Sequence, residues 1–187
     1  MIRLYFVRHG IAVDHDSKGP LPDGARALTG EGRERFRRAA KAFARLGEPL
    51  DALFTSPLVR AVQTAEILAD ALGRTEVAVL KQLEPGVPPA ELFAEVAKLV
   101  KDGQGVALVG HDPQLSAAVA AAAGLAPHDA VGLDFRKGSI IRIDVKGLPK
   151  PLPSQPRWWM RPKRRELVKG LPLPSASAGE DPPDEGA

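Results

Sequence analysis

Three times in this chain an apolar run of strand length ends in residues able to bind or attack an anion, and a helix or turn follows. The first run, Ile2-Arg3-Leu4-Tyr5-Phe6-Val7, exits into Arg8-His9-Gly10. The second, Leu50-Asp51-Ala52-Leu53-Phe54-Thr55, exits into Ser56-Pro57-Leu58-Val59-Arg60. The third, Gly105-Val106-Ala107-Leu108-Val109-Gly110, exits into His111-Asp112-Pro113. Strand patterns that alternate with helical ones specify an α/β fold. In such a sheet the strand exits on one edge converge, and ligands bind beyond them. Two arginines and two histidines are therefore expected to meet around one anion.

The rest of the chain reads consistently with this. Thr29 is the expected N-cap of a helix in which Phe36, Ala40, Phe43 and Ala44 recur at helical spacing, and Gly47 stops it. Ser56 as N-cap with Pro57 at N1 starts a helix that runs to about Leu72. Val77–Leu80 reads as a short third strand, 81–90 as a loop around Pro85-Gly86, and Pro89–Val100 as a helix. The continuously apolar run 105–110 reads as a central strand. Asp112 as cap and Pro113 at N1 open an alanine-rich helix through Ala123. Leu133–Arg136 and Ser139–Val145 read as two more strands joined at Lys137-Gly138. The expected fold class is α/β, a three-layer α/β/α sandwich with a central, mostly parallel sheet. The expected organisation is one domain over 1–170 and a disordered tail of Pro, Ser, Ala and acidic residues over 171–187.

Composition excludes several chemistries. The chain has 187 residues and no cysteine. A disulfide framework, an Fe–S cluster, a thiolate zinc site and a Cys nucleophile are all ruled out. The first apolar stretch is too short for a signal peptide and no run reaches membrane-spanning length, so a cytoplasmic protein with no membrane partner is expected. The net charge of +3 is mild but uneven. Arg157, Arg161, Lys163, Arg164, Arg165 and Lys169 cluster against a single Glu166, and Glu180, Asp181, Asp184 and Glu185 follow. The basic cluster is read as a solvated surface, with no nucleic-acid partner expected. His15 and His128 are read as surface loop histidines, and Trp158 and Trp159 as packing anchors for the terminal segment.

The residue types at the three exits suit phosphoryl transfer. Arg supplies a rigid fork of donors matched to phosphate oxygens. An unprotonated His nitrogen is a nucleophile at neutral pH. Gly10 lets the backbone approach a bound group closely. Arg60 falls near the positive end of a helix, with Gln63 and Thr64 on or beside the same face. Arg8, Arg60 and His111 would supply donors to the phosphoryl oxygens while His9 attacks phosphorus in line. No Walker A loop, Gly-x-Gly-x-x-Gly or His-Glu-x-x-His occurs, and no cofactor or metal is expected.

These residues resemble the histidine phosphatase superfamily, the group that includes the phosphoglycerate mutases. The resemblance rests on Val7-Arg8-His9-Gly10, on Leu28-Thr29 with Gly32, on Ser56-Pro57-Leu58-Val59-Arg60-Ala61 with Gln63-Thr64-Ala65, and on Val109-Gly110-His111, in that order. It covers roughly residues 2–165. Within the superfamily the chain looks most like the SixA phosphohistidine phosphatases. Small size, Gly110-His111-Asp112-Pro113, the Lys137-Gly138-Ser139 turn and Arg157-Trp158-Trp159-Met160-Arg161-Pro162-Lys163 carry that narrower likeness. The resemblance implies a phosphoglycerate mutase-like fold, His9 as nucleophile, and Arg8, Arg60 and His111 as phosphoryl ligands with Gly10 beside them. Mutase-like members carry an Asn after the Arg-His-Gly signature, where this chain has Asp14, His15 and Asp16. They also carry a Glu proton donor after the third strand, for which Glu84 is the nearest counterpart.

The function expected from the sequence is a cofactor-independent phosphatase that works through a phosphohistidine intermediate and removes phosphate from phosphohistidine of a protein. One alternative is a phosphatase or mutase for a small phosphorylated metabolite. Another is a non-catalytic module that binds a phosphorylated ligand. The expected partners are a phosphorylated protein or small substrate, with phosphate or sulfate able to occupy the pocket.

Overall fold

A computed structural model describes residues 1–14, 22–162 and 167–169. Apart from Leu133–Arg136, the predicted strands and helices form with small shifts at their ends. Strands β1 (Ile2–Arg8), β2 (Ala52–Thr55), β3 (Ala78–Val79), β4 (Gly105–Gly110), β5 (Ile140–Val145), β6 (Pro156–Met160) and β7 (Leu167–Val168) make one sheet in the order β3-β2-β4-β1-β5-β6-β7. The pairings β3-β2, β2-β4 and β4-β1 are parallel, and β5, β6 and β7 extend the sheet antiparallel. Helices α1 (Gly30–Ala44), α2 (Val59–Ala71), α3 (Pro89–Leu99) and α4 (Gln114–Ala123) cover it.

Period-two alternation along the central strands builds the two cores. Leu4 and Phe6 of β1, with Val106 and Leu108 of β4, face Leu92, Phe93 and Val96 of α3 and Leu115 and Val119 of α4. Tyr5 and Val7, with Ala107 and Val109, face Phe36 and Phe43 of α1 and Ala61, Ala65 and Leu68 of α2. Burial on both sides is why β1 and β4 read as nearly unbroken apolar runs. Their carboxyl ends, together with that of β2, lie on one edge of the sheet.

Thr29 caps α1 as predicted, its side chain accepting from the Gly32 N–H at 2.9 Å. Gly32 has a second constraint. A Cβ there would lie 2.0 Å from the Ile11 carbonyl oxygen, so only glycine lets α1 sit this close to the chain leaving β1. Gly32→Ala is therefore expected to destabilise the protein by about 1–3 kcal/mol, read as a Tm lower by several degrees. An unchanged Tm would show that this approach is not tight.

Four local expectations are corrected. Ser56 is not the N-cap residue of α2, which is Leu58; its hydroxyl accepts from the Leu58 N–H at 3.3 Å and also meets His111. Asp112 does not cap α4; Pro113 precedes that helix, and the Asp112 carboxylate accepts from the Ser116 hydroxyl and faces Arg8. Leu133–Arg136 is not a strand. Its N–H groups close short local turns, Phe135 onto Leu133 and Arg136 onto Asp134, leaving none for a sheet ladder. Pro156–Met160, for which no strand is expected from the sequence, is a strand, with proline at its first position where no donor is needed.

Strand β6 is held by a polar network. Arg142 binds Glu48 and Asp144, Arg157 binds Asp144, and the Trp158 indole N–H donates to Glu48. Trp158 and Trp159 are buried in opposite cores, as packing anchors should be. Arg161 stacks over Trp159 at 4.7 Å. Two of the clustered basic residues thus have structural partners, while Lys163, Arg164 and Arg165 lie outside the described residues, as do His15, Asp16 and the tail from 170 onward. No helix among the described residues is long and apolar enough to cross a membrane.

Candidate active site

The site assembles at the carboxyl edge of β1, β4 and β2. His9 follows β1 directly and stays tied to the sheet through its backbone N–H, which donates to the Gly110 carbonyl at 3.0 Å. Its ring Nδ1 lies 2.7 Å from the Gly10 carbonyl oxygen. A carbonyl only accepts, so Nδ1 carries the hydrogen and Nε2 keeps its lone pair. Burial, aided by the charges of Arg60, Arg8 and Lys137 and opposed by the Gly10 hydrogen bond, pushes the His9 pKa down to about 4. At neutral pH the ring is uncharged.

His111 follows β4, with its ring centroid 5.1 Å from that of His9. Its Nε2 lies 2.9 Å from the Ser56 hydroxyl at the β2 exit. Burial first, then the neighbouring His9 and Arg60, push its pKa down to about 3. The sign of the linkage follows. Unfolded histidine titrates near 6.5, so between about pH 6.5 and 4 the unfolded chain binds more protons than the folded one. Stability then falls as pH falls through that window. Tm is expected to drop between pH 7 and 4.5, and replacing both His9 and His111 by Asn is expected to flatten that slope. An undiminished slope in the double variant would contradict these environments.

Arg60 stands in the first turn of α2, 4% exposed. Its Nη1 donates to the Asp23 carbonyl at 2.9 Å and its Nη2 to the Asp23 carboxylate at 3.1 Å. Arg26 holds the same carboxylate at 2.8 Å. One turn along α2, the buried Thr64 hydroxyl accepts from the Gly10 N–H at 3.1 Å and donates to the Arg60 carbonyl at 2.6 Å. Gln63 accepts from the Leu28 N–H at 2.8 Å. The first two turns of α2 are thereby stitched to the chain leaving β1 and to the entry of α1.

Arg8 ends β1, and its Nη1 donates to the Phe135 carbonyl at 2.5 Å and lies 3.8 Å from the Asp112 carboxylate. The turn at Lys137-Gly138 packs under the signature. The Gly138 N–H is shared between the carbonyls of Arg8 and His9, both at 3.0 Å, with Gly138 at a left-handed φ of 82°. Among the described residues, three buried nitrogens of this cluster have no hydrogen-bond partner: Arg8 Nε, Arg60 Nε and His111 Nδ1.

Of the residues singled out from the sequence, Arg8, His9, Gly10, Arg60 and His111 are brought together. Glu84 is half-buried after the turn Lys81–Leu83. Its loop reaches the site through backbone: the Leu83 carbonyl lies 3.4 Å from where a Cβ on Gly110 would stand. Asp23, Arg26 and the orienting role of Ser56 were not singled out. Asp23 stands in a polar loop far from Arg60 in sequence, and no local spacing signals that pairing. His128 is exposed in the turn Pro127–Gly132.

The family model described as the histidine phosphatase superfamily (branch 1) matches residues 4–84, which hold Arg8, His9, Arg60 and Glu84. The chain belongs to the histidine phosphatase superfamily. An uncharacterized protein of Picosynechococcus sp. (strain ATCC 27264 / PCC 7002 / PR-6) is 38% identical over 149 residues, covering 76% of this chain and 84% of that protein. Among solved structures, the protein histidine phosphatase SixA complexed with tungstate superposes with a TM-score of 0.74 at 23% identity, over 88% of this chain and 99% of that one. A phosphoserine phosphatase mutant from Entamoeba histolytica in complex with phosphoserine superposes with a TM-score of 0.60 at 15% identity, over 81% and 96%. At these identities the two structures establish a shared fold.

Proposed function

We propose that this protein is a phosphatase that works through a phosphoryl group carried on His9 and acts on phosphohistidine of a protein. The observation that carries the first half is the state of His9: a neutral ring, its Nδ1–H committed to the Gly10 carbonyl, its Nε2 lone pair free beside two arginines. Nε2 attacks phosphorus in line as the bond to the leaving group breaks. Arg8, Arg60 and His111 stabilise charge on the equatorial oxygens. Water then attacks the phosphorylated His9 and releases phosphate.

The choice of phosphohistidine is supported by the likeness to the SixA structure and by leaving-group chemistry. A phosphoramidate nitrogen is more basic than a sugar hydroxyl and can leave already protonated. Such a substrate needs little from Glu84. A reducing, cytoplasmic setting fits the absence of cysteine. A phosphatase for a small phosphorylated metabolite is the second reading, favoured by the way the Glu84 loop is held beside the β4 exit. Purified protein offered a phosphohistidine-bearing phosphotransfer protein and 3-phosphoglycerate is expected to give the higher kcat/KM on the former. A preference for 3-phosphoglycerate would overturn the substrate assignment and leave the His9 chemistry standing.

A further inference from the structure

Gln114 opens α4 three residues after His111 and is 4% exposed. Its side-chain amide donates both hydrogens to backbone carbonyls of the preceding loop, Gln82 at 2.6 Å and Val87 at 3.2 Å. These two carbonyls bracket Glu84. The loop between them rests against Gly110, the residue before His111, through the Leu83 carbonyl. On the other side, the Leu115 N–H donates to the His111 carbonyl at 2.9 Å, so the start of α4 and the His111 backbone move as one piece. A single buried amide thus fastens the Glu84 loop to the element that presents His111.

We propose that Gln114 is a positioning residue: by pinning the carbonyls of Gln82 and Val87 it fixes Glu84 where its carboxyl can protonate the oxygen leaving from a phosphate monoester. The inference rests on the reading of His9 as nucleophile. In the first step the His9 Nε2–P bond forms, the P–O bond to the alcohol breaks, and the Glu84 proton goes to the departing oxygen. In the second, water attacks phosphorus, its proton returns to Glu84, and the Nε2–P bond breaks. A hydrogen-bonding clamp suits this task because a general acid must sit within bonding reach of one atom, and the short helical turn Lys81–Leu83 ends before Glu84. A carboxylate or an apolar side chain at 114 could not serve both carbonyls.

The test compares kcat/KM, which reports the first phosphoryl transfer, for phosphoserine and for p-nitrophenyl phosphate. The phenolate leaves without a proton, whereas the serine alkoxide needs one. Glu84→Gln is expected to lower kcat/KM for phosphoserine by about 10²-fold or more and to lower that for p-nitrophenyl phosphate far less. Gln114→Leu is expected to show the same split and to add nothing further in the Glu84→Gln background. Gln114→Asn, too short to reach both carbonyls, should lie between and serves where the Leu variant fails to fold. Vanadate affinity should stay at the wild-type value in every variant. Equal losses on both substrates, or additive losses in the double variant, would overturn the positioning role while Glu84 remained the acid. No loss in Glu84→Gln would overturn both the acid and its clamp, yet leave the phosphorylated His9 untouched. Loss of all activity with no phosphoenzyme in the wild type would instead sink the reading on which the inference rests.

Discussion

His9→Ala is expected to bring turnover down to background, a loss on the order of 10⁶-fold, the scale seen when the nucleophile of a covalent catalyst is removed. The fold should survive. His9 lies past the end of β1, and its ladder bond to Gly110 uses the backbone N–H, which alanine retains. The ring's neighbours are His111 and the Gly10 carbonyl rather than the apolar cores. A Tm near wild type with no measurable activity on phosphohistidine or on p-nitrophenyl phosphate is the expected pair of results. Wild-type rates would remove His9 from the chemistry.

Arg60→Ala is expected to cost about 10³-fold or more in kcat, the scale of removing a cation that stabilises a transferring phosphoryl group. Its effect on stability should be modest by comparison. The Asp23 carboxylate that loses Arg60 is about half exposed and keeps Arg26 as a partner. Water and Arg26 can therefore satisfy it. Arg60→Lys keeps the charge and loses the fork, so it should recover only part of the rate. A large fall in Tm with a small fall in kcat would mean that Arg60 serves the fold through Asp23 and not the anion.

The sequence makes the sheet and the main residues of the site legible for one physical reason. The central strands are buried on both faces, so their apolar runs are continuous, and reactive or cationic residues stand out directly after each run. Arg8-His9-Gly10, Ser56 through Arg60 and Gly110-His111 are visible on that account, as is the Thr29 cap. What stays hidden is set by contacts between segments distant in sequence. Asp23 meets Arg60 only because the loop before α1 folds over the start of α2. Ser56 looks like a helix cap from its local sequence and does accept from the Leu58 N–H, but β2 lies beside β4, and the contact of the same hydroxyl with His111 has no local signal. Asp112 trades a cap for Ser116 and the neighbourhood of Arg8. Leu133–Arg136 has strand-like residues, yet its backbone closes local turns and lends the Phe135 carbonyl to Arg8. The strand Pro156–Met160 was obscured by its flanking prolines, and its place is fixed by Glu48 and Asp144 through Trp158, Arg142 and Arg157.

The state of His9 can be read without turnover. Nitrogen NMR of the ring at pH 6 should show a neutral imidazole with its hydrogen on Nδ1, because burial holds the pKa near 4 and the Gly10 carbonyl fixes the tautomer. An imidazolium at that pH would contradict the environment described. The most direct measurement is a rapid quench under alkaline conditions during turnover, followed by peptide mass spectrometry. A phosphoryl group on His9, stable to base, lost in acid and absent from His9→Ala, is the result this account predicts. Full turnover with no phosphorylated His9 at any time, or the phosphoryl group found on His111 instead, would contradict it.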